Sequence, residues 1–217
     1  MSDSKAILSV KERIEQRLAN VAKSTTAPSS KRISTQGGVF TLPDGTKSPG
    51  PLNCIVLDYI NTNSYYDTPY NATDIKPPAC WAVGRILEEM RPDDSIENPV
   101  NGQCAGCPNN EFGSAGRGKA CTNNVQLAIV PEEFNEDSDI LTLKISPTGI
   151  TPWSTYVRSL ANAGVDVSQV VTSIAFKEGV SYPTLTFKNV GGNNRVDEAM
   201  AHAIQADTIM SNIMSAA

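Results

Sequence analysis

Apolar residues near the start of the chain, Ala6, Ile7, Val10, Ile14, Leu18 and Val21, recur at helical spacing with Lys, Arg and Glu between them. The pattern predicts an amphipathic helix over 4–23, preceded by a Ser2-Asp3-Ser4 cap region. Residues 24–51 are rich in Ser, Thr, Pro and Gly and contain Lys31-Arg32, and they read as a linker or basic arm. Within that arm, 38–42 is expected to form a short strand and Pro43-Asp44-Gly45 a turn. The continuous apolar run Leu52-Asn53-Cys54-Ile55-Val56-Leu57 predicts a buried strand over 52–61. A polar loop with Tyr65, Tyr66 and Tyr70 follows over 61–74, and 80–90 is expected to be a strand. Further strands are expected at 125–130, 140–145, 170–177 and 184–190, the last two separated by a turn over 178–183. Thr151-Pro152 predicts a helix start, Trp153, Tyr156, Val157 and Leu160 its core face, and Gly164 its end. A last helix is expected over 194–214, with Val196, Met200, Ile204, Ile209 and Ile213 as its apolar stripe.

This order predicts an α+β fold whose sheet is mostly antiparallel. Five or six short strands with one intervening helix suit an open OB-like barrel, with a zinc-ribbon-type insertion at about 80–121 and terminal helices. A generic α+β sandwich suits the same order. The expected divisions are a helix at 1–23, an arm at 24–51, a core at 52–190 and a C-terminal helix at 191–217.

The insertion is where composition changes the picture. Of the five cysteines, Cys104 and Cys107 form a C-x2-C knuckle, Cys121 follows a glycine-rich run, and Cys80 follows Pro77-Pro78. These four flank loop-forming sequence and are expected to close one tetrahedral all-sulfur site for a structural Zn2+. Few apolar residues lie between 91 and 121, so a metal would hold this stretch in shape. A redox pair or unligated thiols are the other readings of a single knuckle. The Pro108-Asn109-Asn110 that follows suits a metal ribbon better than the strand–helix setting of a redox pair. Cys54, inside the apolar run, reads as a small core residue.

The chain carries 18 Lys and Arg against 23 Asp and Glu, a net charge of −5. Residues 1–50 hold eight cations against four anions, so the basic excess is confined to the N-terminal quarter. An acidic body with a basic arm can touch an anionic partner locally and stay soluble. No apolar stretch approaches membrane-span length and no leader pattern opens the chain, which predicts a soluble, cytoplasmic protein with no membrane partner.

Catalytic constellations are missing. The single histidine, His202, falls in a predicted helix and reads as a packing or surface residue. No serine sits in a nucleophile elbow, and the 113–119 stretch lacks P-loop spacing. Asp58, Asp67 and Asp74 are scattered around a loop. Four thiolate ligands leave no open position on a zinc ion. A binding protein is therefore expected rather than an enzyme.

Three blocks carry a resemblance: Asn63-Ser64-Tyr65-Tyr66-Asp67 with Pro77-Pro78-Ala79-Cys80-Trp81-Ala82, then 104–114, then Gly118-Lys119-Ala120-Cys121. Together they resemble a family of bacteriophage-encoded proteins with a cysteine-rich insertion, associated with phage replication and single-stranded DNA binding. Ser146-Pro147-Thr148 with Trp153 and Tyr156, and the 182–187 stretch, are similar to the same outline. The resemblance spans about 30–190 and implies single-stranded DNA and replication proteins as partners, in the cytoplasm of a host bacterium.

Single-strand binders combine stacking aromatics with cations along a groove. The residues expected in those roles are Tyr65, Tyr66, Tyr70, Lys76, Trp81, Arg117 and Lys119. Packing over the sheet end remains open for the tyrosines, and charge balance against the thiolates for the two loop cations. Trp153 and Tyr156 are expected in the core. A zinc-ribbon module docking on a replication or transcription protein is the competing function, and a phage assembly protein a third. The amphipathic terminal helices favour a homo-oligomer.

Overall fold

The structure, a computed structural model, describes residues 31–69 and 71–215. The predicted helix at 4–23, the first part of the arm and Tyr70 lie outside the described residues.

The architecture is α+β: a curled, mixed sheet forming a half-barrel, with two helices. Its strands are β1 (Arg32–Ile33), β4 (Leu52–Tyr65), β5 (Cys80–Gly84), β6 (Cys121–Pro131), β7 (Leu141–Ile145), β8 (Val170–Phe176) and β9 (Leu185–Gly192), while β2 (Phe40–Thr41) and β3 (Lys47–Ser48) pair separately as a hairpin. The helices are α1 (Pro147–Asn162) and α2 (Val196–Ser215). The main sheet runs β1-β7-β6-β4-β8-β9, and β5 joins the far end of β4. Every pairing is antiparallel except β1 on β7, so the sheet is mixed, with the mostly antiparallel character expected and one parallel edge pair.

β4 organises the molecule. Its first half is the apolar run Cys54-Ile55-Val56-Leu57, buried throughout because both sheet faces are covered. Alternation sends Cys54 and Val56 into one core with Val125, Leu127, Leu143 and Ile174, closed by Trp153, Tyr156 and Leu160 of α1. Ile55 and Leu57 enter a second core with Ala128, Val130 and Phe134, closed by Ala199, Ala206 and Met210 of α2. The register shifts between Val56 and Asp58, a bulge that bends the strand. Beyond it β4 turns polar and continues to Tyr65, so residues 61–65 are strand where the polarity predicted loop. β5 is shorter than predicted and ends at Gly84.

The arm is corrected. Residues 31–51 are not a linker: Ile33 and Phe40 are essentially inaccessible and belong to the first core. Phe40 packs on Phe176 with ring centroids 4.5 Å apart. The predicted turn is present, with the Gly45 amide donating to the Leu42 carbonyl and the Thr46 amide to Asp44 Oδ1.

α1 starts at Pro147, a turn before the predicted Thr151-Pro152 start. Ser146-Pro147 carries the same cap-then-proline signal. Pro152 is tolerated one turn in, because only the Thr148 carbonyl loses its helical donor. The helix ends as predicted. Gly164 adopts φ 71°, and the amides of Gly164 and Val165 donate back to Ala161 and Leu160 in a Schellman arrangement.

α2 keeps only part of the predicted stripe: Ile209 packs against the second core. Its buried positions include Ala199, His202, Ala206 and Met210, whereas Met200 and Ile204 are 55% and 75% exposed. Large apolar residues drew the predicted face, but small alanines let the helix approach the sheet. Ala206→Leu should therefore cost ~1–3 kcal/mol by overpacking, while Ile204→Ser should stay within ~0.5 kcal/mol. Urea denaturation of the two variants checks this, and the opposite ranking would mean that the helix packs by its large residues. His202 is a packing residue: its Nδ1 lies 3.0 Å from the Glu198 carbonyl and its ring meets Phe134 edge-on, while Nε2 has no partner among the described residues. No helix among the described residues is long and apolar enough to cross a membrane.

Candidate metal centre and adjoining groove

The polar end of β4 is where the four cysteines gather. Tyr65 is opposite Cys80 on β5 and opposite Cys121 on β6. Directly opposed residues of an antiparallel ladder share a face, so the register alone sets Cys80 and Cys121 on either side of one strand. The intervening 85–120 segment, the cysteine loop, folds back over them. The Asp93 amide donates to the Trp81 carbonyl and the Cys104 amide to the Met90 carbonyl, both at 2.9 Å. Gly106, at φ 72°, supplies the left-handed residue that turns the Cys104–Cys107 knuckle.

All four thiols line one cavity of about 20 Å³ with Asn63, Tyr65 and Trp81. That is room for a single water-sized body. Among the described residues no three His, Cys, Asp or Glu side chains are gathered tightly enough to hold an ion as they stand. The thiols share a wall without meeting at a point. They are nevertheless within electrostatic reach of one another. Burial first, then Cys104, Cys80 and Cys107, push the Cys121 thiol up to about 11, with Lys119 opposing. Cys80 is raised by burial and then by Cys104 and Cys107. Burial raises Cys104, and a hydrogen bond from the Asn63 side chain acts against it. Like charges here repel, and a cation among them would reverse that balance. Cys54 stands apart in the core, its thiol raised by burial alone and donating to the Thr172 carbonyl. None of the five is in a disulfide.

An asparagine network braces the knuckle. Asn123 Nδ2 donates to Asn63 Oδ1 at 2.6 Å and to Asn110 Oδ1 at 2.9 Å, and Asn110 Nδ2 donates to the Cys104 carbonyl at 2.9 Å. Lys119 Nζ also reaches Asn110 Oδ1, at 3.3 Å. Such partners orient ligands around metal sites.

Outside the cavity lies a groove. One cleft of about 690 Å³ runs between the cysteine loop, with Phe112, Arg117 and Lys119, and the start of α1, with Pro147, Thr148 and Thr151. A neighbouring cleft of about 320 Å³ shares Lys119, Asn123 and Ile150 with it and adds Asn61, Asn63 and Asn124. Among the described residues, Glu88 is the one carboxylate residue lining either cleft. Phe112 is 79% exposed, and neither Arg117 nor Lys119 has an ion-pair partner among the described residues. α1 presents its positive end here, with no acidic residue in its first turn.

The predicted stacking residues are dispersed. Trp81 is buried on the cavity wall and offers no free ring face, because the cysteine loop folds over β5. Tyr65 is half-buried on the same wall, since β4 extends to include it. Tyr66 and Lys76 line a separate cleft of about 150 Å³ together with Asp74, which lies 4.0 Å from the Lys76 ammonium. Arg117 and Lys119 are brought together in the groove. Phe112 was missed. Its signal was a lone large aromatic in a glycine-rich loop with no periodic apolar partner.

No known protein family, curated protein or solved structure matches the chain.

Proposed function

We propose that the protein binds single-stranded DNA in the groove between the cysteine loop and α1, with the loop held by a structural Zn2+ on Cys80, Cys104, Cys107 and Cys121. The observation that carries this reading is the groove itself. In a chain of net charge −5 it joins two cations that have no ion-pair partner among the described residues to an exposed aromatic ring, with a single carboxylate among its described lining residues. Phosphates would lie against Arg117 and Lys119 and an unpaired base on Phe112. Duplex DNA hides its base faces, and the acidic body repels a stiff rod more than a flexible strand threading a narrow basic track.

The connectivity supports an OB-type reading. A long bent strand (β4) leads a meander through β6 and β7, a helix follows, β8 returns antiparallel to β4, and β9 pairs antiparallel with β8. β5 and the cysteine loop are then an insertion between the first two barrel strands. β1 occupies the outer edge of β7, where barrel closure would occur, and the barrel stays open. OB barrels commonly bind oligonucleotides.

Zinc suits the donor set: four sulfurs on one water-sized cavity, backed by a network that fixes the knuckle. It would draw the thiolates together and leave about −2 of charge, which Lys119 and Arg117 help offset. Its chemistry is structural, with no position left for a reacting water, which supports a binding protein.

Fluorescence anisotropy with labelled oligo-dT tests the function. Lys119→Ala should weaken binding and reduce the salt slope by ~0.7 units, one phosphate's share on a single strand. Phe112→Ala should cost ~1–3 kcal/mol with an unchanged slope. Equal affinity for duplex, or no binding at low salt, would reject the reading. Exposed Ile86, Leu87 and Val100 on the cysteine loop support the competing one, a zinc-ribbon module docking on a replication or transcription protein. Met200 and Ile204, one turn apart and exposed on α2, support self-association.

A further inference from the structure

We infer that a DNA strand held at the cysteine loop continues past the start of α1 into a second cleft, where Tyr182 stacks a base and Arg32 takes a phosphate. The inference rests on the single-stranded DNA reading and extends its site to two elements far away in sequence, β1 and the β8–β9 turn. The second cleft measures about 740 Å³ and is lined by Arg32, Ser34, Gln36, Thr148, Tyr182 and others. This lies within the ~300–1,000 Å³ common for ligand sites. Thr148 belongs to the walls of both this cleft and the 690 Å³ cleft, so the two are neighbours across one side chain. Its hydroxyl is 3.3 Å from those of Ser146 and Thr184, which sets a polar sill between them.

The chemistry of the first cleft recurs in the second. Tyr182 is 55% exposed and stacks on no other ring among the described residues. Pro183 follows it and restricts its backbone to extended conformations, which limits what is lost on ordering the ring. Arg32 is exposed, and the pairing of β1 with β7 sets it opposite Thr142. It has no ion-pair partner among the described residues, unlike its neighbour Lys31, which is bridged to Asp139. Lys144 on β7 is close enough to feel Arg32: its ammonium is disfavoured by burial and then by the charge of Arg32. Arg32, without an ion-pair partner and on a cleft with no carboxylate among its described lining residues, makes this end of the groove attractive to phosphate. Each of the two adjoining clefts thus joins an exposed aromatic ring to a cation without an ion-pair partner among the described residues, as repeated nucleotides require.

The test compares oligo-dT of about 4 and about 16 nucleotides, the span of single-domain sites, by anisotropy on the intact protein. Wild type should bind the longer strand more tightly than the added number of binding positions explains. Tyr182→Ala should weaken the longer strand about 5- to 150-fold, the ~1–3 kcal/mol of one stack at ~1.4 kcal/mol per tenfold. Arg32→Ala should weaken it and reduce the salt slope by ~0.7 units. Both side chains are exposed, and unchanged melting curves check that the variants fold. If Lys119→Ala weakens the longer strand while Tyr182→Ala and Arg32→Ala leave affinity and slope unchanged, the second cleft is rejected and the DNA function stands. If wild type binds no oligomer, both readings fail. Binding of thymidine monophosphate through Arg32 without oligomer binding would make the cleft a small-anion site and overturn the inference.

Discussion

Cys107→Ser is expected to release one zinc per chain and to unfold the 85–120 segment while the sheet remains folded. Across that segment only Met90 and Cys104 are buried, and the satellite cluster they form has one other member, Ala82. So small a cluster cannot offset the entropy of ordering some three dozen loop residues at ~1–2 kcal/mol each for the backbone. Zinc on four thiolates contributes on the order of 10–16 kcal/mol in small peptide sites. Losing one ligand removes much of that. β4 and β6 are held by the two main cores and should survive. Elemental analysis reads the metal, and hydrogen exchange reads which amides lose protection. Cys54→Ser is the control: it should lower stability, because it sits in the apolar core, yet keep the full metal content. Metal-free wild type, or a fully loaded Cys107→Ser, would reject the site.

Phe40→Ala is expected to destabilise the whole domain by ~3–5 kcal/mol, the usual cost of removing a buried aromatic ring. Phe40 is fully inaccessible, packs at a tilt on the Phe176 ring and lies in the core that α1 closes. Urea denaturation should show a lower midpoint with the slope retained. A change under ~1 kcal/mol would return residues 31–51 to the status of a peripheral arm. The prediction separates composition from packing. The segment is polar by count, yet two of its few large apolar side chains are core.

Much of the element order was legible in the sequence, because it depends on local periodicity. The apolar run at Cys54–Leu57 predicted a buried strand, and the structure supplies a helix for each of its faces. Gly164 ended α1 for a backbone reason that any helix would obey. Cys54 separated from the other four cysteines because an apolar run and loop sequence are different environments. The errors share a cause. Periodicity weighs residues by size and polarity, so it selected Met200 and Ile204 on α2. Close approach of helix and sheet instead favours the small Ala199 and Ala206. It also ended β4 at its first polar residues, although Asn61 and Asn63 are buried within the asparagine network and ladder of that strand.

The sequence by itself determined that four cysteines lie in loop-rich surroundings, that Arg117 and Lys119 ride with them, and that the body is α+β. Only the tertiary structure decided what these residues face. Strand register, a property of pairs of strands, sets Cys80 and Cys121 on either side of Tyr65, and the folding of the cysteine loop brings Cys104 and Cys107 to the wall of the same small cavity. The same folding buries Trp81, separates Tyr66 and Lys76 from the loop cations, and leads the groove towards Arg32 and Tyr182, some 150 residues apart in the chain. Local patterns encode which backbone form a segment takes. Which distant side chains share a wall depends on how those forms pack, and no window along the chain contains that information.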